Sequence, residues 1–522
     1  MKTTSTGDLQ KGLGLLDLTL LGVGSMIGSG WLFASAKSAG LAGANAGWAW
    51  VLGAVMILLI ALVFAELAAA LPRAGGFLRY PNFTHGNVVG FVIGISSLLA
   101  YTSTAGVEVQ AVREYAIAWW PAALPSLAVE GGGPSGAGFV FQIALLVIFF
   151  LINFWSVKAF GRVNTVITFF KFIVPLLIIV TLFGYFTADN LDVPPPPPGG
   201  FHGVFSSLTG AGIAFSYLGF RQAVDFASEA KNPKRDIPLS IFIALAISFI
   251  VYMLLQYCYM GAVPSDQLGE HGWDGLASLY TSPFADVTMH LGITWLTTLV
   301  LVDAIISPAG TGNIYIAGAS RVLFAWAKNG HLFEIFSRVD EKTGVPRGAL
   351  WLSLLLAIAW TLPSNFQVWS GLIAACTSAM VFTYMPGATS LAAFRKRMPD
   401  MERPFKLPLF GIIGPLSMIS CTFLLYWSGW SVISILVPIL AIAWVFYALF
   451  GHKTEDSVGD INSAWWLLCY YIALYVLSWF GSFGGTGGLA GSPENILLLI
   501  ISLVGYYWGS SSALATPRIN HD

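Results

Sequence analysis

Apolar runs of about twenty residues recur along the whole chain, and that recurrence leaves little choice of fold. A helix crossing the hydrocarbon of a bilayer needs about 20 consecutive apolar residues. Runs at 14–37, 46–70, 88–118, 138–156, 164–186, 203–225, 238–261, 291–327, 348–362, 369–393, 410–428, 430–450, 464–484 and 494–513 meet or approach that need. They predict an all-α polytopic membrane protein with about fourteen transmembrane helices. The runs are continuous rather than alternating, and too long for barrel strands, which argues against sheet. Composition agrees: 56% of the residues are apolar and 10% charged, whereas soluble domains carry about 25% charged residues. A net charge of −1 offers no basic field to nucleic acid.

The positive charges give an orientation. With the N-terminus in the cytoplasm, all but four of the 25 Lys and Arg fall on the cytoplasmic side, as topology rules require. Lys37 and Arg113 lie near outer loops, and Lys171 and Arg221 lie within helices. Both termini are then expected to be cytoplasmic. Met1 to Lys11 is short and polar, with no small-residue cleavage site after the first apolar run, so no removable signal peptide is expected. Pro194 to Pro198 should form a stiff polyproline spacer, and the outer segment 262–290 is long enough for a short surface helix. The four cysteines, Cys258, Cys376, Cys421 and Cys469, form no paired motif and read as small hydrophobes.

Two apolar runs are interrupted by glycine. The first contains Gly22-Val23-Gly24-Ser25-Met26-Ile27-Gly28-Ser29-Gly30, and the sixth contains Gly210-Ala211-Gly212 through Gly219-Phe220. Backbone unwound at that depth leaves polar groups that lipid cannot satisfy. Half-helix N-termini suit a carboxylate, and half-helix carbonyl ends suit an ammonium. The backbone of one amino acid satisfies both. Packing through small residues is the plainer explanation of either interruption alone. The pair, five helices apart, points instead to an inverted repeat with a midplane site.

These stretches resemble the amino acid–polyamine–organocation superfamily of transporters over about the first 410 residues. Gly24-Ser25-Met26-Ile27-Gly28-Ser29-Gly30 is similar to its first-helix substrate motif. Phe64-Ala65-Glu66-Leu67 with Leu71 to Tyr80 resembles its second helix and first inner loop. Glu229 to Pro238 resembles the loop after its sixth helix, and Ser320-Arg321 through Gly330, with Pro346, the end of its eighth. The resemblance implies a LeuT-like inverted five-helix repeat, with residues 14–186 and 203–393 as the two repeats. A cytoplasmic N-terminus at 1–13, a loop at 394–409, peripheral helices at 410–513 and a cytoplasmic tail at 514–522 complete that organisation. It also implies that a substrate carboxylate meets backbone at Ile27, Gly28, Ser29 and Gly30, and its amine meets carbonyls around Phe215, Ser216 and Tyr217, near Gly219. Phe215 would be an aromatic gate. Asn313 and Tyr315 lie where relatives often line the cavity, though a packing role serves Tyr315 equally well.

Charges at membrane depth need partners or a function. Lys171 matches a fifth-helix lysine of proton-coupled relatives, where the ammonium stands in for a sodium ion. It would exchange a proton during transport, or else be neutralised permanently by first-helix carbonyls. Arg221 departs from the family, which usually has an acid there. It would either hold a substrate side-chain carboxylate in a bidentate contact or pair internally with Asp225, Glu108 or Asp303, the commoner fate of such a residue. Glu108 would line the cavity, carry a proton, or pair with Arg113 or Arg221. Glu66 should anchor the inner loop.

No nucleotide loop, metal-ligand cluster or nucleophile motif stands out. The expectation is therefore a secondary transporter of the plasma membrane rather than an enzyme. It would move an amino acid with a proton, sodium being disfavoured because Lys171 would fill its place, and acidic amino acids are the leading substrate. An exchanger or a transporter-like nutrient receptor is the alternative. No cofactor is expected, lipid and the amino acid are the expected partners, and the sequence is silent on oligomeric state.

Overall fold

The computed structural model describes residue 9 and residues 11–120, 125–129, 133–155, 157–195, 200–362, 369–451 and 457–519. Helices α1 (Leu15–Met26) and α2 (Ser29–Ala42) are the two halves of one broken apolar run, followed by α3 (Ala46–Ala70) and α4 (Gly76–Trp119). Then come α5 (Gly136–Trp155) and α6 (Val157–Phe183), and a second broken run divided into α7 (Gly200–Gly210), α8 (Ile213–Tyr217) and α9 (Arg221–Asp225). Next are α10 (Pro233–Ala262), the short α11 (Ser265–Leu279) and α12 (Pro283–His290), α13 (Thr294–Lys328), α14 (Arg347–Ala359) and α15 (Trp369–Arg397). The chain ends with α16 (Phe410–Trp427), α17 (Trp430–Phe450), α18 (Ser457–Asn462), α19 (Trp465–Phe480) and α20 (Ser492–Ser512). Extended pairing among the described residues is confined to two isolated bridges, Leu13 with Ala230 and Ala128 with Pro134.

The all-helical membrane class is as expected, but the count of fourteen is not reached. Eleven helical stretches among the described residues are long and apolar enough to cross a bilayer, or twelve if the bent pair Phe201–Gly210 and Ile213–Asp225 is one span. Two of the expected spans run together as Ser29–Ala70, where only the tight turn Gly43–Asn45 separates α2 from α3. The run expected at 348–362 forms a helix of 13 residues, about 20 Å long at 1.5 Å per residue and short of the hydrocarbon thickness. The third helix is longer than expected, starting at Gly76 rather than 88. Its first turns carry Arg79, Asn82, Thr84 and His85, all buried among other helices, so hydropathy misses them. It bends at Gly86, whose φ of 79° only glycine adopts readily. The segment 262–290 holds two short helices, α11 and α12, and the proline run falls partly outside the described residues.

The helices sort into a protein-lined centre and a lipid-facing rim. The most extensive packing is of α4 against α13 and α15, with α10 lying against α1 and α3. On α6 the division is sharp: Phe169 is 67% exposed, while Lys171, two residues on, is fully buried. Exposed Val166, Val180, Ile442 and Phe450 continue an apolar surface that requires lipid as its solvent.

One end of the bundle is tied by basic side chains. Arg395 grips Glu66 with Nε–Oε1 2.9 Å and Nη2–Oε2 2.5 Å, and the Leu407 N–H adds 2.7 Å to Oε2. Glu66 therefore anchors the α15–α16 loop. Arg321 of α13 pairs with Glu229 at 3.0 Å. The Glu229 carbonyl in turn accepts the N–H groups of Gly12 and Leu13 at 2.9 and 3.0 Å, and the Gly75 N–H reaches the Asp225 carbonyl at 3.2 Å. The segment before α1, the α3–α4 turn, the end of α9 and α13 are thus latched together. At the opposite end Asn190 binds the carbonyls of Met260 and Val263 at 3.0 and 2.8 Å.

Candidate functional site

Both glycine-rich interruptions are real breaks, and they touch. Between α1 and α2, Ile27 and Gly28 leave the helical region, with φ/ψ of −78°/82° and −124°/−138°. In the sixth run Gly212 is left-handed at φ 81°, and the halves meet at 58°. Ser25 Oγ lies 2.8 Å from the Gly22 carbonyl and 3.0 Å from that of Gly219, which pins one break to the other. A methyl group on Gly219 would lie 2.7 Å from Met26 N and 2.8 Å from the Gly22 oxygen. Glycine is needed there because backbone approaches backbone. Gly30 similarly abuts Ser216, and the Phe215 ring lies beside it.

The two ends of the first break are met by an amine and a carboxyl group supplied by the protein. At the carbonyl end of α1, Lys171 Nζ donates to the Gly24 carbonyl at 2.6 Å and to Thr311 Oγ1 at 2.7 Å. Thr311 Oγ1 is itself 2.9 Å from the Gly24 oxygen. At the amide end of α2, the Ser29 N–H donates to Glu108 Oε2 at 3.0 Å. The other carboxyl oxygen, Oε1, is buried beside Gly28 and has no hydrogen-bond partner. Each placement follows from the helix dipole, which favours cations at carbonyl ends and anions at amide ends. Glu108 and Asp303 are the carboxylates within electrostatic reach of Lys171. Asp303, fully buried on α13, makes one long contact to Ser307 at 3.4 Å.

Arg221 opens α9, nine residues beyond Gly212 in the second broken run. Its Nε meets Asp225 Oδ2 at 3.3 Å, and the Tyr101 hydroxyl donates to the same oxygen. The guanidinium lies 4.2 Å from the Tyr101 ring centre, 4.8 Å from Phe77 and 5.5 Å from Tyr384. Nη1 and Nη2 have no hydrogen-bond partner. The internal pair with Asp225 is therefore present, while the fork of the guanidinium stays unused.

The remaining expected residues are dispersed around this centre. The Ser216 carbonyl accepts the Tyr252 hydroxyl at 3.3 Å, and the Leu218 carbonyl accepts that of Tyr384 at 3.3 Å. Tyr217 turns toward α3, its hydroxyl 3.4 Å from the Trp50 carbonyl. Asn313 engages α5 through Asn153, 2.8 Å from its amide oxygen. Tyr315 packs on Tyr101 at 5.3 Å. All of these are buried. Sequence reasoning passed over Thr311, Ser25 and the ring cage of Phe77, Tyr101 and Tyr384. For Thr311 a signal existed: Ser307-Pro308-Ala309-Gly310-Thr311-Gly312 is the longest small-residue stretch within α13.

Sequence comparison decides what such an arrangement belongs to. The profile of the amino acid permease family matches residues 13–478, from before the first break to the end of α19. The chain belongs to the amino acid permease family. It is 43% identical over 522 residues to the aspartate-proton symporter of Bacillus subtilis (strain 168), covering 99% of each chain. It is 35% identical over 520 residues to the glutamate/serine transporter AimA of the same organism, with 98% and 95% covered. A third relative there, the branched-chain amino acid permease BcaP, is 28% identical over 459 residues, with 86% and 95% covered. This permease thus has its breaks, Lys171 and Arg221 within the span that the family shares.

Proposed function

We propose that this permease is a proton-coupled symporter of acidic amino acids, working by alternating access in the plasma membrane with both termini cytoplasmic. The observation that carries the reading is the pair of charges at the first break: Lys171 on the carbonyl end of α1 and Glu108 on the amide end of α2. In this conformation the protein's own carboxyl group occupies the amide end that a substrate carboxylate would seek, and its amine holds the carbonyl end of α1. The similarity to an aspartate-proton symporter at 43% identity supports both the substrate class and the ion.

The mechanism follows from competition for that amide end. A substrate carboxylate arriving at the Ile27–Gly30 backbone meets Glu108, and two carboxylates at one helix end repel. Substrate therefore binds together with a proton at this centre. Its ammonium takes carbonyls of the Phe215–Tyr217 stretch, which requires Tyr252 to release Ser216. A second carboxylate on the side chain meets the unused fork of Arg221, whose planar geometry suits bidentate contact. Phe215 covers the occupied site. Helices α1, α2 and α7–α9 then rock against α4, α5, α13 and α14, breaking the Glu229–Arg321 latch.

The test is uptake into proteoliposomes from a panel of radiolabelled amino acids under imposed proton or sodium gradients. The proposal expects aspartate or glutamate to accumulate uphill with a proton gradient alone. Accumulation that needs sodium, or a strict preference for neutral substrates, would overturn it. Flux only when unlabelled amino acid is present on the far side would make the protein an exchanger instead.

A further inference from the structure

A cleft of about 490 Å³ opens at the basic end, apart from the broken-helix centre. Its walls are contributed by the segment before α1 (Leu9, Lys11), the α3–α4 turn (Arg73) and α4 (Arg79). The loop after α9 (Ser228), the start of α10 (Pro233) and the end of α13 (Lys328) complete it. Four of the described lining residues are cationic and none is acidic. Arg79 is 4% exposed, with its guanidinium 5.2 Å from the Phe83 ring, so that charge is fixed in the wall rather than dissolved in solvent. Ser228 Oγ, also in the wall, has no hydrogen-bond partner. The N-terminus of the 30-residue α10 adds its positive end.

We propose that this cleft is an anion site on the cytoplasmic side of the solute path, and that its occupant is the acidic amino acid leaving the centre. Charge of one sign within low-dielectric walls concentrates anions, and the volume lies in the range of small-molecule clefts, about 300–1,000 Å³. Position selects the occupant. The cleft borders the latched elements: Ser228 is adjacent to Glu229, and Arg73 and Ala74 precede Gly75, whose N–H holds Asp225. An anion released when the Glu229–Arg321 latch opens emerges beside Lys11 and Lys328. The site holds it through its carboxylates and leaves a neutral amino acid unrecognised. The inference rests on the acidic-substrate symport proposed above.

The experiment compares wild type with the K11Q/K328Q double variant, which removes two charges from the cleft without touching its buried wall. Proteoliposomes sorted for one orientation are assayed for uptake and for efflux of radiolabelled L-aspartate and L-serine. Loss of two partly exposed charge contacts should raise the KM for aspartate efflux about fivefold. The aspartate uptake KM and the serine efflux KM should move much less. An unchanged aspartate efflux KM, or an equal rise for serine, would overturn the inference while leaving symport intact. Wild-type protein that carries no aspartate in either direction overturns the acidic-substrate reading and this inference with it. The same assay in vesicles with and without phosphatidylglycerol separates sources: an effect seen only with the anionic lipid assigns the cleft to a headgroup and contradicts the proposal.

Discussion

Lys171 donates to the Gly24 carbonyl at 2.6 Å across 147 positions of sequence, and that bond fixes the broken end of α1 to α6. The lysine is fully buried on the inner face of a helix whose other face meets lipid. Its charge is answered by a half-helix terminus and by Thr311 rather than by a direct salt bridge. A proton leaving or joining this ammonium changes the attraction that holds α1 in place. In the proposed mechanism, that change links proton movement to the motion of the broken helix.

Thr311 should be the most sensitive position outside the expected set. Thr311→Val keeps the shape and removes the acceptor 2.7 Å from Nζ, leaving a buried charged donor short by about 1–3 kcal/mol. Proton-driven uptake should fall about tenfold on that cost, and Thr311→Ser should restore most of it. Initial rates of aspartate uptake at fixed proton gradient measure both.

Arg221 should set substrate preference. Arg221→Gln alone strands Asp225, and breaking a buried pair costs about 3–5 kcal/mol, so the informative variant is R221Q/D225N. In competition assays it should lose its preference for aspartate over serine by about tenfold or more, since the guanidinium fork is gone. An unchanged order of competitors would reduce Arg221 to an internal ion pair.

Two glycines in the second broken run should behave oppositely. Gly219→Ala forces a methyl against the Gly22 and Met26 backbone, and overpacking of this kind costs about 1–3 kcal/mol. Around Gly210 there is open space within 4 Å. Thermal unfolding of the purified protein in detergent should show a lowered midpoint for Gly219→Ala and little change for Gly210→Ala.

The loop before α14 should loosen in acid. Asp340 Oδ1 accepts the Thr343 N–H at 2.9 Å and the Thr343 hydroxyl at 2.7 Å, and Oδ2 meets Arg347 at 3.0 Å. The Thr343 hydroxyl bond, then its N–H bond, hold the Asp340 carboxyl below the usual carboxylate range. A depressed group stabilises the folded loop above its ordinary titration range and loses that effect as pH falls through the lowered value. Amide hydrogen exchange over 338–346, corrected for the intrinsic rate, should therefore lose protection at low pH in wild type. In Asp340→Asn it should be weaker and flat across that range.

The parts of this picture that were legible in sequence share a cause. Glycine in an apolar run and lysine in lipid are costly, so Gly24, Gly28, Gly212 and Lys171 announce themselves without tertiary information. Arg221 was equally conspicuous, and its i+4 spacing from Asp225 made that partner nameable. Helix length was less legible: α4 begins with polar residues buried by other helices, and α14 is too short to cross alone. What the sequence hides is which distant side chain completes each charge. That Glu108 takes the Ser29 amide, Thr311 the Lys171 ammonium and Tyr101 the Asp225 carboxylate depends on α4, α6 and α13 meeting the broken helices. Nothing local encodes those pairings.

The most direct test compares net accumulation with exchange in Lys171→Gln. Proteoliposomes carrying the variant are given an inward proton gradient and radiolabelled aspartate, and separately are preloaded with unlabelled aspartate and assayed for counterflow without a gradient. If Lys171 couples proton movement to the first broken helix, uphill accumulation disappears while counterflow persists. Accumulation by the variant to the wild-type level under the same gradient would contradict the account.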